Sequence, residues 1–201
     1  LIRRYGSVQV RNAATVGGNI ANGSPIGDSP PALIALGATL HLRKGDARRS
    51  LPLEDFFVDY GKQDRAPGEF VAGVRLPIPD GPSRLGCHKL SKRFDQDITA
   101  VLGCFDVAVE GGTVTAARLA YGGMAGTPKR ARAAEAALVR RPWTEATVRG
   151  AMEALAQDFA PMTDQRASAA YRMAAARNLL LRHFIERERP EVATRLDRPA
   201  A

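Results

Sequence analysis

The sequence predicts an α+β fold built in two parts, on three observations. Residues 1 to about 80 are rich in Gly, Pro and small residues and carry only short apolar runs. Two longer β-like runs, Val101 to Val109 and Val114 to Tyr121, then flank Glu110-Gly111-Gly112-Thr113, a hairpin signal. Three helical stretches follow one another, and strands followed by a run of helices belong to this class.

In chain order, Ser29-Pro30-Pro31 opens a helix over Ala32 to Leu36. The hydroxyl of Ser29 is expected to cap it, and the prolines lose no needed N–H in the first turn. Gly37 ends that helix in a left-handed conformation. Thr39 to Leu42 alternates as a strand, Leu53 to Tyr60 suggests a short helix carrying Phe56 and Phe57, and Phe70 to Leu76 suggests another strand, stopped by Pro77 and Pro79. The stretch Pro77 to Ser83 marks the boundary, giving parts 1–80 and 81–190. The loop Ser91 to Asp97 is expected to lead into a strand at Ile98, and Tyr121-Gly122-Gly123-Met124 to form a packed strand-to-helix turn. Helices are expected from Arg130 to Val139, from a Thr144 cap to Phe159, and from Ser168 to Glu188. The last carries Tyr171, Ala175, Leu179 and Phe184 on or near one face. The tail 191–201 is polar and expected to be loose.

Composition excludes several classes. A chain of 201 residues with 45% hydrophobic and 25% charged residues folds without staples. No apolar run is long enough to span a bilayer. The two cysteines, Cys87 and Cys104, form neither a C-x-x-C pair nor a disulfide framework. They are expected to be buried small hydrophobes, and a reducing, cytoplasmic setting is the default. Lys and Arg number 29 against 21 acidic residues, a net charge of +8. The basic residues are scattered beside acids and only 6% of residues are aromatic, which argues against nucleic acid and for an acidic partner or a phosphate-bearing cofactor. His41, His88 and His183 are isolated, so no metal site is expected. Dinucleotide-fold, Walker, nucleophile-elbow and zincin motifs are absent.

The segment Thr15-Val16-Gly17-Gly18-Asn19-Ile20-Ala21-Asn22-Gly23-Ser24-Pro25-Ile26-Gly27-Asp28 is the informative one. Small residues let backbone N–H groups approach an anion or a flat ring, and Gly and Asn tolerate left-handed turns. A tight turn between packed elements would have the same composition. Asp28 would repel phosphate, so it suits hydroxyls or a ring N–H.

This segment resembles the flavin-binding signature of the molybdenum hydroxylase family. The resemblance continues through Pro52 to Tyr60, Phe70 to Pro77, His88-Lys89-Leu90 with Asp95 to Ile98, Ala120 to Ala131, and Ser168 to Arg172. It covers nearly the whole chain and is strongest toward the FAD-carrying small subunit of bacterial xanthine dehydrogenases. It implies the end of a vanillyl-alcohol-oxidase-type FAD-binding αβ part, followed by a three-stranded antiparallel sheet with helices. It further implies that Thr15, Val16, Gly17, Gly18 and Asn19 line the FAD diphosphate and ribityl region. Asp28 would accept a hydrogen bond from the cofactor, Val71 would be an apolar contact, Lys89 a basic flavin contact, and Tyr5 an aromatic flanking the ring. Tyr60, with Arg93 and Asp97 in the loop Ser91 to Asp97, would face NAD⁺. No residue of this chain need act as acid or base. The implied partners are a molybdenum-cofactor large subunit and a [2Fe-2S] domain of the same subunit, in a heterotetramer that passes electrons from purine hydroxylation through FAD to NAD⁺. The family's other phosphate loop and its cluster cysteines are missing, so the chain is expected to be the C-terminal portion of a longer subunit whose absent first half leaves Phe56 and Phe57 uncovered. A sister enzyme of carbon monoxide or aldehyde dehydrogenase type, or a flavin-free assembly module, are the alternatives.

Overall fold

The computed structural model describes residues 1–78 and 84–194. The boundary expected at Pro77 to Ser83 therefore lies largely outside the described residues. The chain opens with a 3₁₀ turn, Ile2–Arg4, and a short helix α1, Val8–Ala13, capped by the Ser7 side chain. The glycine-rich segment is not a loop throughout. Thr15 accepts a hydrogen bond from the Gly18 N–H at 2.9 Å and starts helix α2, Val16–Ala21.

Helix α3, Ser29–Ala35, forms where the double proline predicts it, but its N-cap position is Asp28, whose side chain does not cap. Instead Asn19 Oδ1 accepts from the Ser29 N–H at 3.2 Å, and the Ser29 hydroxyl donates to the same oxygen. The cap is thus supplied by α2 rather than by Ser29. Gly37 ends α3 at φ +72°, as expected.

Three antiparallel strands follow in the order β2-β1-β5: β1 Thr39–Lys44, β2 Ala47–Pro52 and β5 Phe70–Arg75. Between them the helix expected over Leu53 to Tyr60 is one turn only, α4 Leu53–Phe56. The chain then extends into β3 Phe57–Asp59, reverses at Gly61 with φ +67°, and returns as β4 Lys62–Gln63. Phe56 and Phe57 are buried, with their rings edge to face at 5.4 Å, so the expected uncovered surface does not exist there.

The second part holds a sheet in the order β6-β7-β8-β9, with β6 Leu85–Leu90, β7 Val101–Glu110, β8 Thr113–Gly122 and β9 Lys129–Arg130. Among the described residues it has four strands rather than three. The fourth takes in Arg130, the first residue of the expected first helix. Gly111 and Gly112, both at positive φ, make the two-residue hairpin turn. No strand begins at Ile98; β7 starts at Val101. Helix α5, Arg132–Leu138, is followed by α6, Glu145–Asp158, capped by Thr144, and α7, Ala169–Glu188, capped by Ser168. Ala175, Leu179 and Phe184 are buried, but Tyr171, in the first turn of α7, is exposed. Thr194 Oγ1 bonds Glu186, so the described start of the tail is tied to α7.

Strand alternation explains the layering. Val101, Phe105 and Val107 point into a core with Leu138, Leu155, Leu180 and Phe184 of the helices. Leu102, Cys104 and Ala120 point the other way, into a core with Ile34, Leu40 and Phe56 of the first part. The sheet is buried on both faces, and the two parts share it. The Gly122-Gly123 corner is a contact between them as well as a turn. The Gly123 N–H donates to Pro25 O at 2.8 Å, and a Cβ on Gly122 would come 3.2 Å from the Pro31 ring. Buried Arg172 holds the same corner, donating to Ala100 O and Gly123 O and pairing with Asp164 at 2.7 Å. Glu54 of α4, joined to Arg118 and Arg130 at 2.9 and 3.1 Å, adds a polar seam, which Glu135 continues.

Two outcomes follow from this packing. Gly123 sits at φ +79°, and a Cβ there would collide with Ala100 O. Gly123→Ala should lower stability by more than the roughly 1–3 kcal/mol of backbone strain alone, seen as a reduced denaturant midpoint. His183 is buried against Phe105 and His88, and burial pulls its pKa down to about 3. The unfolded chain therefore binds a proton near pH 6.5 that the folded chain refuses until about pH 3. Its contribution is complete above that upper pH and fades as acid is added. Urea melts of His183→Gln between pH 4 and 8 should show a shallower acid loss than the parent.

Candidate functional site

The site is organised by one buried ion pair. Asp28, just before α3, is 5% exposed, and Lys89, near the end of β6, is 8% exposed. Lys89 Nζ lies 2.7 Å from Asp28 Oδ2, and Thr99 Oγ1 donates to Asp28 Oδ1 at 2.5 Å. Lys89 Nζ also donates to Arg4 O at 2.9 Å. Arg4 reciprocates, donating to Lys89 O at 2.8 Å, Ser91 Oγ at 3.1 Å and Phe94 O at 3.1 Å, with its guanidinium 5.1 Å from the centre of the Phe94 ring. The chain's first residues, the start of α3, the end of β6 and the loop after it are thereby fastened at one point. Burying two charges is costly unless the pair is close and hydrogen-bonded to further partners; here the pair is at 2.7 Å, with Arg4 O and Thr99 as further partners.

The glycine-rich residues lie beside this point. Asn19 links α2 to Ser29, the neighbour of Asp28. Thr15, Val16 and Gly18 are exposed, and Gly17 is half-buried. The first N–H groups of a helix have no partner in the helix itself, so the start of α2 presents open donors. The Gly18 N–H is already taken by Thr15, and a Cβ on Gly18 would press on Thr15 Oγ1 at 2.8 Å. A Cβ on Gly17 would meet only Val71 Cγ1, at 3.7 Å. Val71, on β5, thus flanks α2 as expected. Tyr5 is half-buried beside Arg4, with its carbonyl bonded to Arg11. Both carboxylate oxygens of Asp28 already accept from protein donors.

The residues expected on the NAD side are not brought together. Arg93 and Asp97 share the loop 91–97, but Tyr60 sits on the β3–β4 turn, its Cβ 3.4 Å from where a Gly126 Cβ would be. That turn borders a separate groove of about 570 Å³, lined among others by Asp55, Asp59, Thr127 and Lys129. Within the loop, Asp97 accepts from the Arg93 N–H at 2.6 Å and the Ile98 N–H at 2.8 Å, and these bonds hold its pKa below the usual aspartate value. Lys92 reaches Gln165 O at 2.7 Å, whereas the Arg93 side chain is 72% exposed. Sequence reasoning missed Arg4 and Thr99. Each is one polar residue in an unremarkable stretch, and only the fold shows what it touches.

Fold and site together describe a small α+β module whose glycine-rich helix start opens to solvent beside a charge-locked corner. Residues 1–79 match the family described as the FAD binding domain in molybdopterin dehydrogenase, and residues 87–187 match the CO dehydrogenase flavoprotein C-terminal domain. The chain belongs to the FAD-binding flavoprotein family of the molybdenum hydroxylases. It is 34% identical over 190 residues to the nicotinate hydroxylase of Emericella nidulans, covering 91% of this chain and 14% of that one. It is 36% identical over 161 residues to the xanthine dehydrogenase of the same organism, covering 79% and 12%. Carbon monoxide dehydrogenase from Hydrogenophaga pseudoflava superposes with a TM-score of 0.84 at 32% identity, over 88% of this chain and 61% of that one. The chain thus spans only a small fraction of the two fungal relatives and under two thirds of the bacterial chain.

The buried pair yields a direct test. Asp28→Ala leaves an unpaired ammonium and should cost about 3–5 kcal/mol. The double variant Asp28→Leu/Lys89→Met should recover most of that loss in denaturant melts, because apolar replacements of similar bulk remove both charges.

Proposed function

We propose that this chain is the flavin-carrying portion of a xanthine dehydrogenase-type molybdenum hydroxylase, in which electrons from iron–sulfur clusters leave through FAD to NAD⁺. The observation that carries the reading is that Arg4, the neighbour of Tyr5, is fastened to the Asp28–Lys89 pair, while Asn19 of the glycine-rich segment is bonded to Ser29, the neighbour of Asp28. The residues present fit FAD. Gly17 leaves room at the first turn of α2, where open N–H groups favour a diphosphate, and Val71 supplies an apolar neighbour. FAD, when bound, supplies the two-electron chemistry.

The chain's own residues position it. Thr15 and Asn19 hold α2 in place, and Tyr5 flanks the ring. Asp28 orients the Lys89 side chain, with Lys89 poised at the flavin. The loop 91–97, braced by Asp97, presents Arg93 outward toward a phosphate-bearing acceptor. A molybdenum-cofactor subunit and a [2Fe-2S] domain complete the electron path in a heterotetramer, and the hydroxylated substrate is selected there. The identity with a xanthine dehydrogenase favours the purine. The superposition on a carbon monoxide dehydrogenase favours a sister enzyme with another substrate and acceptor.

Flavin content of the intact complex tests the site. Gly17→Val adds bulk at the helix start while meeting only Val71, and should weaken FAD binding at least tenfold, about 1.4 kcal/mol, without lowering the melting temperature of the flavin-free protein. Full occupancy in that variant would remove these residues from the cofactor site. Turnover of xanthine against carbon monoxide, each with NAD⁺ and with an artificial acceptor, separates the two enzyme readings. Asp97→Asn should alter NAD⁺ kinetics and leave the artificial-acceptor rate unchanged.

A further inference from the structure

The two cysteines pack on the core of the first part, Cys104 buried as expected and Cys87 half-buried. Cys87 of β6 and Cys104 of β7 stand directly opposite each other in antiparallel register. Directly opposed residues have Cα atoms about 4.5 or 5.5 Å apart, depending on the pair type. Both values fall within the roughly 4.4–6.8 Å that a disulfide spans. Cys104 is fully buried among Leu102, Ala120 and Leu40, whereas Cys87 is half-buried at the margin of the same core. Cys87 is therefore the more accessible of the two, and Cys104 is shielded from solvent. The two thiols are hydrogen-bonded, which draws the Cys87 pKa down, while burial drives that of Cys104 up. The reactive sulfur and the accessible sulfur are thus the same one.

We propose that Cys87 and Cys104 form a redox-active dithiol, which hydrogen peroxide closes to a cross-strand disulfide and a reducing thiol reopens. The Cys87 thiolate attacks peroxide; the O–O bond breaks, hydroxide leaves and is protonated to water, and Cys87 becomes a sulfenic acid. The Cys104 sulfur then attacks Cys87, the S–O bond breaks, and a second water departs carrying the Cys104 proton. Two thiols and one peroxide give one disulfide and two waters. Cys87 shares a strand face with Lys89, two residues on, so closure pins β6 to β7 next to the Asp28–Lys89 pair.

Because the chain has only two cysteines, the test is clean. The folded full chain is treated with excess hydrogen peroxide, then denatured for thiol counting, intact mass and non-reducing electrophoresis. Both thiols should disappear together, the mass should fall by two hydrogens, the chain should stay monomeric, and dithiothreitol should restore both thiols. Cys104→Ser should stop at a sulfenic acid on Cys87 that dimedone traps. Cys87→Ser should leave Cys104 unmodified while the fold persists. Loss of one thiol with retention of the other in the parent, cross-linked dimers, or two thiols surviving peroxide in the folded parent would each overturn the proposal.

Discussion

Much of this structure depends on a single charge pair withdrawn from water. An aspartate and a lysine buried together are tolerable only when they touch and when their remaining hydrogen-bonding sites are filled. Asp28 and Lys89 meet at 2.7 Å, Thr99 takes the second carboxylate oxygen, and the backbone of Arg4 takes another ammonium proton. Each of those partners comes from a different stretch of chain. The requirement to satisfy the pair therefore fixes the start of the chain, the entry to α3 and the loop after β6 relative to one another. Arg4 tightens the arrangement by donating back to three acceptors in the region it receives from.

The second constraint is the sheet buried on both faces. In β7 Val101, Phe105 and Val107 on one face and Leu102, Cys104 and Ala108 on the other are buried, so neither face is left to water. α5–α7 cover one face, and α3 with the strands of the first part cover the other. The cores on either side of residue 80 share the strands of this sheet. Glycine works here as clearance. At Gly86 any side chain would overlap the His183 ring, and at Gly103 it would overlap the Phe105 ring, so the two aromatic faces close against bare backbone.

Legibility in the sequence followed how local each signal is. The Gly111-Gly112 hairpin and the Thr144 cap are complete within four or five residues, and both formed as expected. Strands that depend on neighbours were not legible. Ala47–Pro52 carries two arginines and a serine because it is an exposed edge, and Leu85–Leu90 holds Gly, His and Lys because its neighbours, not its alternation, determine its burial. Leu53 to Tyr60 looked helical from its apolar content, but Gly61 at positive φ reverses the chain there. Asp28 was singled out by its place in the glycine-rich segment, and Lys89 only through resemblance. Their mutual contact, 61 residues apart in sequence, is written in no spacing, and neither is the register that sets Cys87 opposite Cys104.

The loop 91–97 shows why composition misstates a local field. Counting residues gives two basic and two acidic groups in seven positions, a neutral loop. The structure distributes them unequally. Asp97 directs its carboxylate at the loop's own N–H groups, and Lys92 is drawn away to the carbonyl of Gln165. Asp95 turns back to the Gln96 N–H. The Arg93 guanidinium donates to Gln96 O at 3.1 Å and lies 3.5 Å from Asp97, while most of its side chain projects into solvent. A charge committed to short internal hydrogen bonds shapes the loop and is screened by the dipoles it meets, whereas an exposed guanidinium acts on whatever approaches. The field this loop shows to an incoming molecule therefore depends on which charges its own hydrogen bonds hold in, rather than on the number of charged residues.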